Sequence, residues 1–214
     1  MFKLFSKKEK DFKSGNYWES RYKQGGNSGS GSYNHLSEFK AEVINKLIEE
    51  KQFSSVIEFG CGDGNQLSLL KPDNYIGLDV SATVIKQCRK KFAGDASKSF
   101  FLYNHECFVD KAGIFRRDAS MSIDVLFHLV EQEVYETYLE HLFSSASKMV
   151  IIYAADLDIP QRTSHELFRK FTKDIERKFT GWQLKEVIKN KYPSKDYEDE
   201  NGSLADFFIY TPVK

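Results

Sequence analysis

Apolar residues along this chain follow two periods. From Leu36 to Ile48 they recur at helical spacing, with Leu36, Phe39, Val43, Ile44, Leu47 and Ile48 on one face. Ser55–Phe59 is instead a short apolar run that stops at glycines, which predicts a buried strand. The two patterns then alternate. Tyr75–Val80, Ser99–Tyr103, Ala119–Ile123 and Lys148–Ala154 predict strands, the last most clearly. Between them, Leu67–Leu70 predicts a short helix, and Ser81 is placed to cap a helix running to about Phe92. Glu131–Ser145 predicts a helix with Val134, Tyr138, Leu139 and Leu142 on one face. Residues 163–176 read as helical, and Gln183–Ile188 and Leu204–Tyr210 as two final strands.

Strands alternating with helices predict an α/β fold, a mostly parallel sheet covered on both faces. The last two strands are joined by KNKYPSKDYEDENG, which has no helical period. Without a crossover helix they must pair antiparallel. The expectation is therefore a three-layer sandwich around seven strands, with the last strand antiparallel. This domain occupies residues 35–214. Residues 14–34 are poor in apolar side chains and contain GGNSGSGSY at 25–33, which reads as a mobile loop. Trp18, Arg21 and Tyr22 before it and Tyr33 at its end suit a lid that folds over a bound ligand. Residues 1–34 thus form a tail and a glycine-rich lid. The basic start, MFKLFSKKEKDFK, has no secretory apolar core and reads as a solvated tail, as does the acidic stretch Asp196–Asn201.

Composition narrows the function. The 31 basic and 31 acidic residues balance, so no overall basic excess points to a nucleic acid, and a small-molecule partner is the better expectation. Cys61, Cys88 and Cys107 form no CxxC pair, which speaks for a reducing, cytoplasmic compartment and against disulfides or a metal site. No apolar run approaches the roughly 20 residues a membrane span needs. The pattern carries no information on oligomeric state.

The richest segment is Val56-Ile-Glu-Phe-Gly-Cys-Gly-Asp-Gly-Asn-Gln66. A strand ends at Glu58, and Gly60, Gly62 and Gly64 follow at alternate positions, where backbone can turn sharply and approach a ligand. A dinucleotide fingerprint would read GxGxxG, but position 65 is Asn. The tighter GxGxG turn suits an amino-acid carboxylate. Asp79 ends the next strand, 21 residues after Glu58, where a carboxylate can accept from both hydroxyls of a ribose.

These residues resemble the class I, Rossmann-like S-adenosylmethionine-dependent methyltransferases. The resemblance implies that Glu58, Gly60, Cys61, Gly62 and Gly64 embrace the methionine part, Glu58 anchoring its ammonium, and that Asp79 and Val80 hold the ribose side. Arg117-Asp-Ala-Ser-Met-Ser-Ile-Asp-Val-Leu-Phe-His128 is similar to the family's fourth strand and following segment, which implies Ser122, Ile123 and Asp124 beside the sulfonium. The family often has an acid after the third strand; here Tyr103, Asn104, His105 and Glu106 stand there, and Asn104 is the choice for the adenine edge. Tyr22 is expected to reach the cofactor from the lid. His128, His165 and Asp124 are candidate bases at the strand ends. The resemblance implies methyl transfer to an acceptor, with a small-molecule or glycan-type hydroxyl the leading choice. A nicotinamide-dependent oxidoreductase and a non-catalytic adenosylmethionine-binding partner protein are the alternatives.

Overall fold

In the computed structural model, which describes residues 12–159, 161, 163–194, 199 and 201–213, a single sheet organises the chain. The basic start up to Asp11 and most of the acidic Asp196–Asn201 stretch lie outside the described residues. The strands are β1 (Ser55–Phe59), β2 (Asn74–Asp79), β3 (Lys98–Leu102), β4 (Arg117–Ile123), β5 (Ala146–Ala154), β6 (Trp182–Ile188) and β7 (Asp206–Pro212). The helices are α1 (Ser14–Lys23), α2 (Asn34–Lys51), α3 (Ala82–Lys91), α4 (Gln132–Ser144) and α5 (Phe171–Lys178).

The sheet runs β3-β2-β1-β4-β5-β7-β6, and β7 is antiparallel to both β5 and β6. The expected sandwich with an antiparallel last strand is thus borne out. Its cause is side-chain alternation. Val56, Met121, Ile151 and Phe207 join one core with Phe39, Ile44 and Leu47 of α2 and Ile85 of α3. Their strand neighbours Ile57, Val150, Ile152 and Phe208 join a second core with Tyr138 and Leu142 of α4 and Phe171 of α5. Each fully buried aliphatic side chain contributes about 1.5–3 kcal/mol. The order of strands reverses between β1 and β4, so a crevice opens at the carboxyl ends of β1, β2 and β4.

Two expectations change. Residues 14–34 contain a regular helix, α1, and a 3-10 turn at Ser30–Ser32. The helix escapes a hydrophobic-period reading because its docking is largely polar. Glu19 of α1 accepts from Ser81 Oγ (2.6 Å), Thr83 N (3.1 Å) and Thr83 Oγ1 (3.0 Å) at the start of α3. Ser14 N donates to Glu131 Oε1 at 2.9 Å. In residues 163–176 only α5 from Phe171 onward is helical. Before it, Leu167 N donates to Phe127 O (2.7 Å), and Arg169 donates to the carbonyls of Leu129 (2.7 Å) and Val130 (2.9 Å). Asp156 then caps the helix, accepting from Thr172 N at 3.0 Å.

Candidate active site

A cleft of 720 Å³ lies at the crevice, walled by the loops after β1, β2, β3 and β4 and covered by α1 and residues 28–32. Its floor is the turn after β1. Gly60 N and Cys61 N both donate to Leu78 O, at 2.7 and 2.9 Å, which locks that turn to β2. Gly60 and Gly62 have φ of 82° and 54°, in the left-handed region that L side chains rarely adopt. A Cβ on Gly60 would stand 2.5 Å from Val125 Cγ2.

Asp79 stands at the tip of β2 with 6% of its surface exposed. Its carboxylate accepts from Gly62 N (3.0 Å) and Ser81 N (2.9 Å). Burial still pushes its pKa up to about 6, against the pull of those two bonds. Glu58, equally buried, accepts from Tyr75 OH at 2.5 Å, and burial pushes its pKa up to about 7. Among the described residues lining the cleft, Glu19, Glu58, Asp63, Asp79, Glu106, Asp124, Glu131 and Glu133 are acidic, and Lys13 is the counterpart of opposite charge. The cleft therefore favours a cation. At its β3 end Val80 and Leu102 expose apolar side chains beside Tyr103 and Asn104.

Glu58, Gly60, Cys61, Gly62, Asp79, Val80, Asn104, Ile123, Asp124, His128 and Tyr22 all border this one cleft. Three candidates do not. Ser122 is fully buried beneath it, where Tyr138 OH bridges the Ser122 hydroxyl (2.8 Å) and Phe59 O (2.9 Å). Gly64 (φ 69°) faces α3, and a Cβ there would stand 2.7 Å from Phe92 Cε2, so it serves packing. The His165 ring stacks on Tyr17 at 4.7 Å, outside the lining.

His128 is arranged differently. Its Nδ1 lies 3.2 Å from the carbonyl of His165, so that nitrogen carries the proton and Nε2 is left as the acceptor. Burial pulls its pKa down to about 4, outweighing the carbonyl, and the ring is neutral above that pH. Trp18 meets it edge-on at 4.9 Å. Asp124, at φ 58°, is ion-paired with Lys40 at 2.5 Å, which compromises it as a free base. Asn104 Oδ1 already accepts from Glu106 N at 2.9 Å.

Several site residues were missed. Lys40 is 1% exposed, yet it sits four residues from Leu36 and from Ile44, on the apolar stripe of α2. A lysine in that stripe was the available signal. Asp63, inside the glycine turn, holds the cover: it accepts from Ser28 N (3.0 Å) and Tyr33 OH (2.7 Å), and its own N donates to Ser28 Oγ (2.9 Å). Burial pushes its pKa up, but these bonds outweigh it and hold the carboxyl below its ordinary value. Tyr22 OH shares Ser28 Oγ at 3.0 Å, and Asn65 Nδ2 donates to Ser32 O at 2.7 Å.

No protein-family model matches the chain. The murine eEF1A lysine and N-terminal methyltransferase is 32% identical over 91 residues, 41% of this chain and 13% of that protein. The chain therefore spans a small part of the length of that relative. Among solved structures, the methyltransferase domain of bacterial CtHen1-C superposes with a TM-score of 0.63 at 21% identity, covering 84% of this chain and all of that one. The magnesium protoporphyrin IX methyltransferase of Synechocystis PCC 6803, solved with bound SAM, gives 0.66 at 13% identity, covering 94% and 98%. The small RNA methyltransferase HEN1 gives 0.59 at 19%, covering 86% of this chain and 26% of that one. The fold is that of the class I, Rossmann-like S-adenosylmethionine-dependent methyltransferases. The resemblance carried by the glycine turn and the tip of β2 is borne out at this level. Among the described residues no helix is long and apolar enough to cross a membrane.

Proposed function

We propose that this protein is an enzyme that binds S-adenosylmethionine in the cleft and transfers its methyl group. The observation that carries the reading is the unit of Gly60, Gly62 and Asp79, a left-handed glycine turn bonded to a buried carboxylate at the switch of strand order. The residues fit the cofactor: an acidic wall for its cationic end, the Asp79 carboxylate for its ribose and an apolar edge at Val80 and Leu102 for its base. The sulfonium supplies a good leaving group, so the chain's task is alignment and exclusion of water. The cover formed by α1 and residues 28–32 serves as the lid that does the excluding.

His128 Nε2, the ring nitrogen left without the His165 carbonyl, would take the proton of a hydroxyl acceptor, which supports the small-molecule or glycan hydroxyl. A second reading is an amine, favoured by the relative that acts on a lysine and an N-terminus. A pKa near 4 makes His128 a weak base, and an amine needs positioning more than a base. The neutral overall charge speaks against nucleic acid, although one structural neighbour is a small RNA methyltransferase. Calorimetry is expected to show binding of S-adenosylhomocysteine and no binding of NAD, with Asp79→Ala weakening the former about 10- to 100-fold. Tight NAD binding without S-adenosylhomocysteine binding would overturn the proposal. Release of S-adenosylhomocysteine across hydroxyl compounds, amine-bearing peptides and short RNAs then selects the acceptor; turnover with none of them would favour a non-catalytic binding protein.

A further inference from the structure

The two edges of the sheet are built differently. At one end, β6 exposes Gln183, Lys185 and Glu186, and its register with β7 shifts between Leu184 and Glu186. A register irregularity and charges of both signs protect an edge strand against further pairing. At the other end, β3 has neither. Its pairing with β2 runs without a break from Lys98 to Leu102, and Ser99–Leu102 contains no charge, glycine or proline. The same ladder fixes which backbone groups of β3 are free. Ser97 O accepts from Tyr75 N, and Tyr103 N donates to Asp79 O, so residues 97, 99, 101 and 103 turn their backbone groups toward β2. Lys98, Phe100 and Leu102 direct theirs out of the sheet, where no further strand follows among the described residues.

Apolar surface lies beside this edge. The three most exposed large apolar side chains among the described residues are Val109 (72%), Ile114 (67%) and Leu102 (58%), all on β3 or in the loop after it. Phe101 is exposed as well, its ring edge-on to Phe115, which in turn touches Phe108. An unprotected strand edge flanked by an apolar patch marks a protein interface. A second copy of the same strand suits it. A two-fold axis through a pair of Phe100 residues sets Lys98 of one copy opposite Leu102 of the other, so that all three outward residues exchange backbone hydrogen bonds. That arrangement also matches charge. Lys98 opens β3, and the last turn of α3, shortly before it, exposes Arg89 and Lys90. Just past the strand, Asn104, His105 and Glu106 supply an acid and no lysine or arginine. Antiparallel pairing brings the basic start of one copy to the acidic end of the other.

We propose that the chain forms a two-fold dimer in which β3 pairs antiparallel with β3 of a second copy, with Phe101, Val109 and Ile114 packed across the join. Leu102, Asn104 and Glu106 also line the cleft, so the dimer braces the β3 wall of the site. The test is sedimentation of the full chain from about 1 to 100 µM, a range over which mass action reveals a reversible dimer. Reductant is present, so that the exposed Cys107 forms no disulfide link. Wild-type protein is expected to sediment as a dimer at the upper end of the range. Leu102→Pro removes one outward N–H from each copy and leaves the β2 ladder intact; with two hydrogen bonds lost, it should weaken the dimer about 30-fold or more. Phe101→Lys, which removes no backbone group, should weaken it as well, and serves if the proline variant does not fold. A monomer throughout the range would overturn the proposal and leave the edge to a different partner. A dimer that both folded variants leave unchanged would overturn it too, by placing the interface elsewhere.

Discussion

Gly62→Ala tests whether the glycine turn and the N-terminal cover form one mechanical unit. A Cβ at Gly62 would lie 2.3 Å from Ser28 Oγ, 3.2 Å from Ser28 Cβ and 3.3 Å from Tyr22 OH. The nearest neighbours of such a Cβ thus all belong to the cover. Two costs follow. An alanine at φ 54° carries about 1 kcal/mol of backbone strain. Displacing Ser28 Oγ also breaks its bonds with Asp63 N and Tyr22 OH, each worth about 1 kcal/mol. The sum is about 3 kcal/mol against the closed cover. Ser28→Ala alone removes the same two bonds for about 2 kcal/mol and relieves the oxygen clash. The double variant should therefore cost about 3 kcal/mol, well short of the additive 5, a coupling of about 2 kcal/mol. Native-state hydrogen exchange at Ser32 and Tyr33, whose amides bond to Gly29 and Ser30 carbonyls, reads opening of the cover directly. Exchange should accelerate about 100-fold in Gly62→Ala, and adding Ser28→Ala should change it little. Strict additivity, or unchanged exchange in Gly62→Ala, would refute the coupling.

Two further outcomes follow from charge and geometry. Burial raises Asp79 to about 6 and Glu58 to about 7, so both bind protons more readily folded than unfolded; their ionisation costs the ligand-free protein stability as pH rises through that window. A cationic ligand lowers both values, so binding should release protons and strengthen from pH 5 to 7 by up to about tenfold per unit per group; calorimetry in two buffers at pH 6.5 with no proton release would contradict this. Once an acceptor is known, His165→Phe should leave turnover within about threefold, because only its main-chain carbonyl serves His128, whereas His128→Phe should slow a hydroxyl transfer about 100-fold or more. An unaffected His128→Phe variant would remove the base and leave the amine reading.

What the sequence disclosed was set by which interactions leave a periodic trace. Continuous apolar runs such as Lys148–Ala154 and the glycine turn with Asp79 were legible because burial and backbone geometry demand particular residue types there. The antiparallel ending was legible because KNKYPSKDYEDENG has no helix to carry a crossover. The helix α1 was not, because Glu19 docks it onto α3 through hydrogen bonds that leave no apolar stripe. Ser122 and Ile123 are adjacent on β4 and so face opposite ways; the sequence placed both at the site, but the pleat sends Ser122 to Tyr138 and leaves Ile123 on the wall. His165 looked equivalent to His128 in position after a strand, but the path through Leu167 and Arg169 seats its ring between Tyr17 and the far side of the His128 ring, so that His128 and not His165 lines the cleft.

Asp63 ties the cover to the site. Its flanking residues are Gly62, whose amide bonds Asp79, and Gly64, whose turn packs against α3. Its own carboxylate holds Ser28 and Tyr33, so the backbone that would touch a ligand and the segment that would cover it share one residue. A shift of Gly62 toward a bound ligand would move the anchor of the cover by a similar distance, without a separate hinge. The acidic wall gives that linkage a direction. Asp79 adds to the cost of ionising Glu58, and Asp63 adds to that of Asp79, so a cation beside them would remove part of that cost. A cation that also held Gly62 would tighten the turn that carries Asp63, so occupancy and closure should reinforce each other. A closed cover then excludes water and strengthens every charge interaction beneath it. On this logic the polar, glycine-rich composition of residues 24–33 is suited to its place: a segment held by a few hydrogen bonds to one aspartate can release and re-form, as an apolar one docked into the core could not.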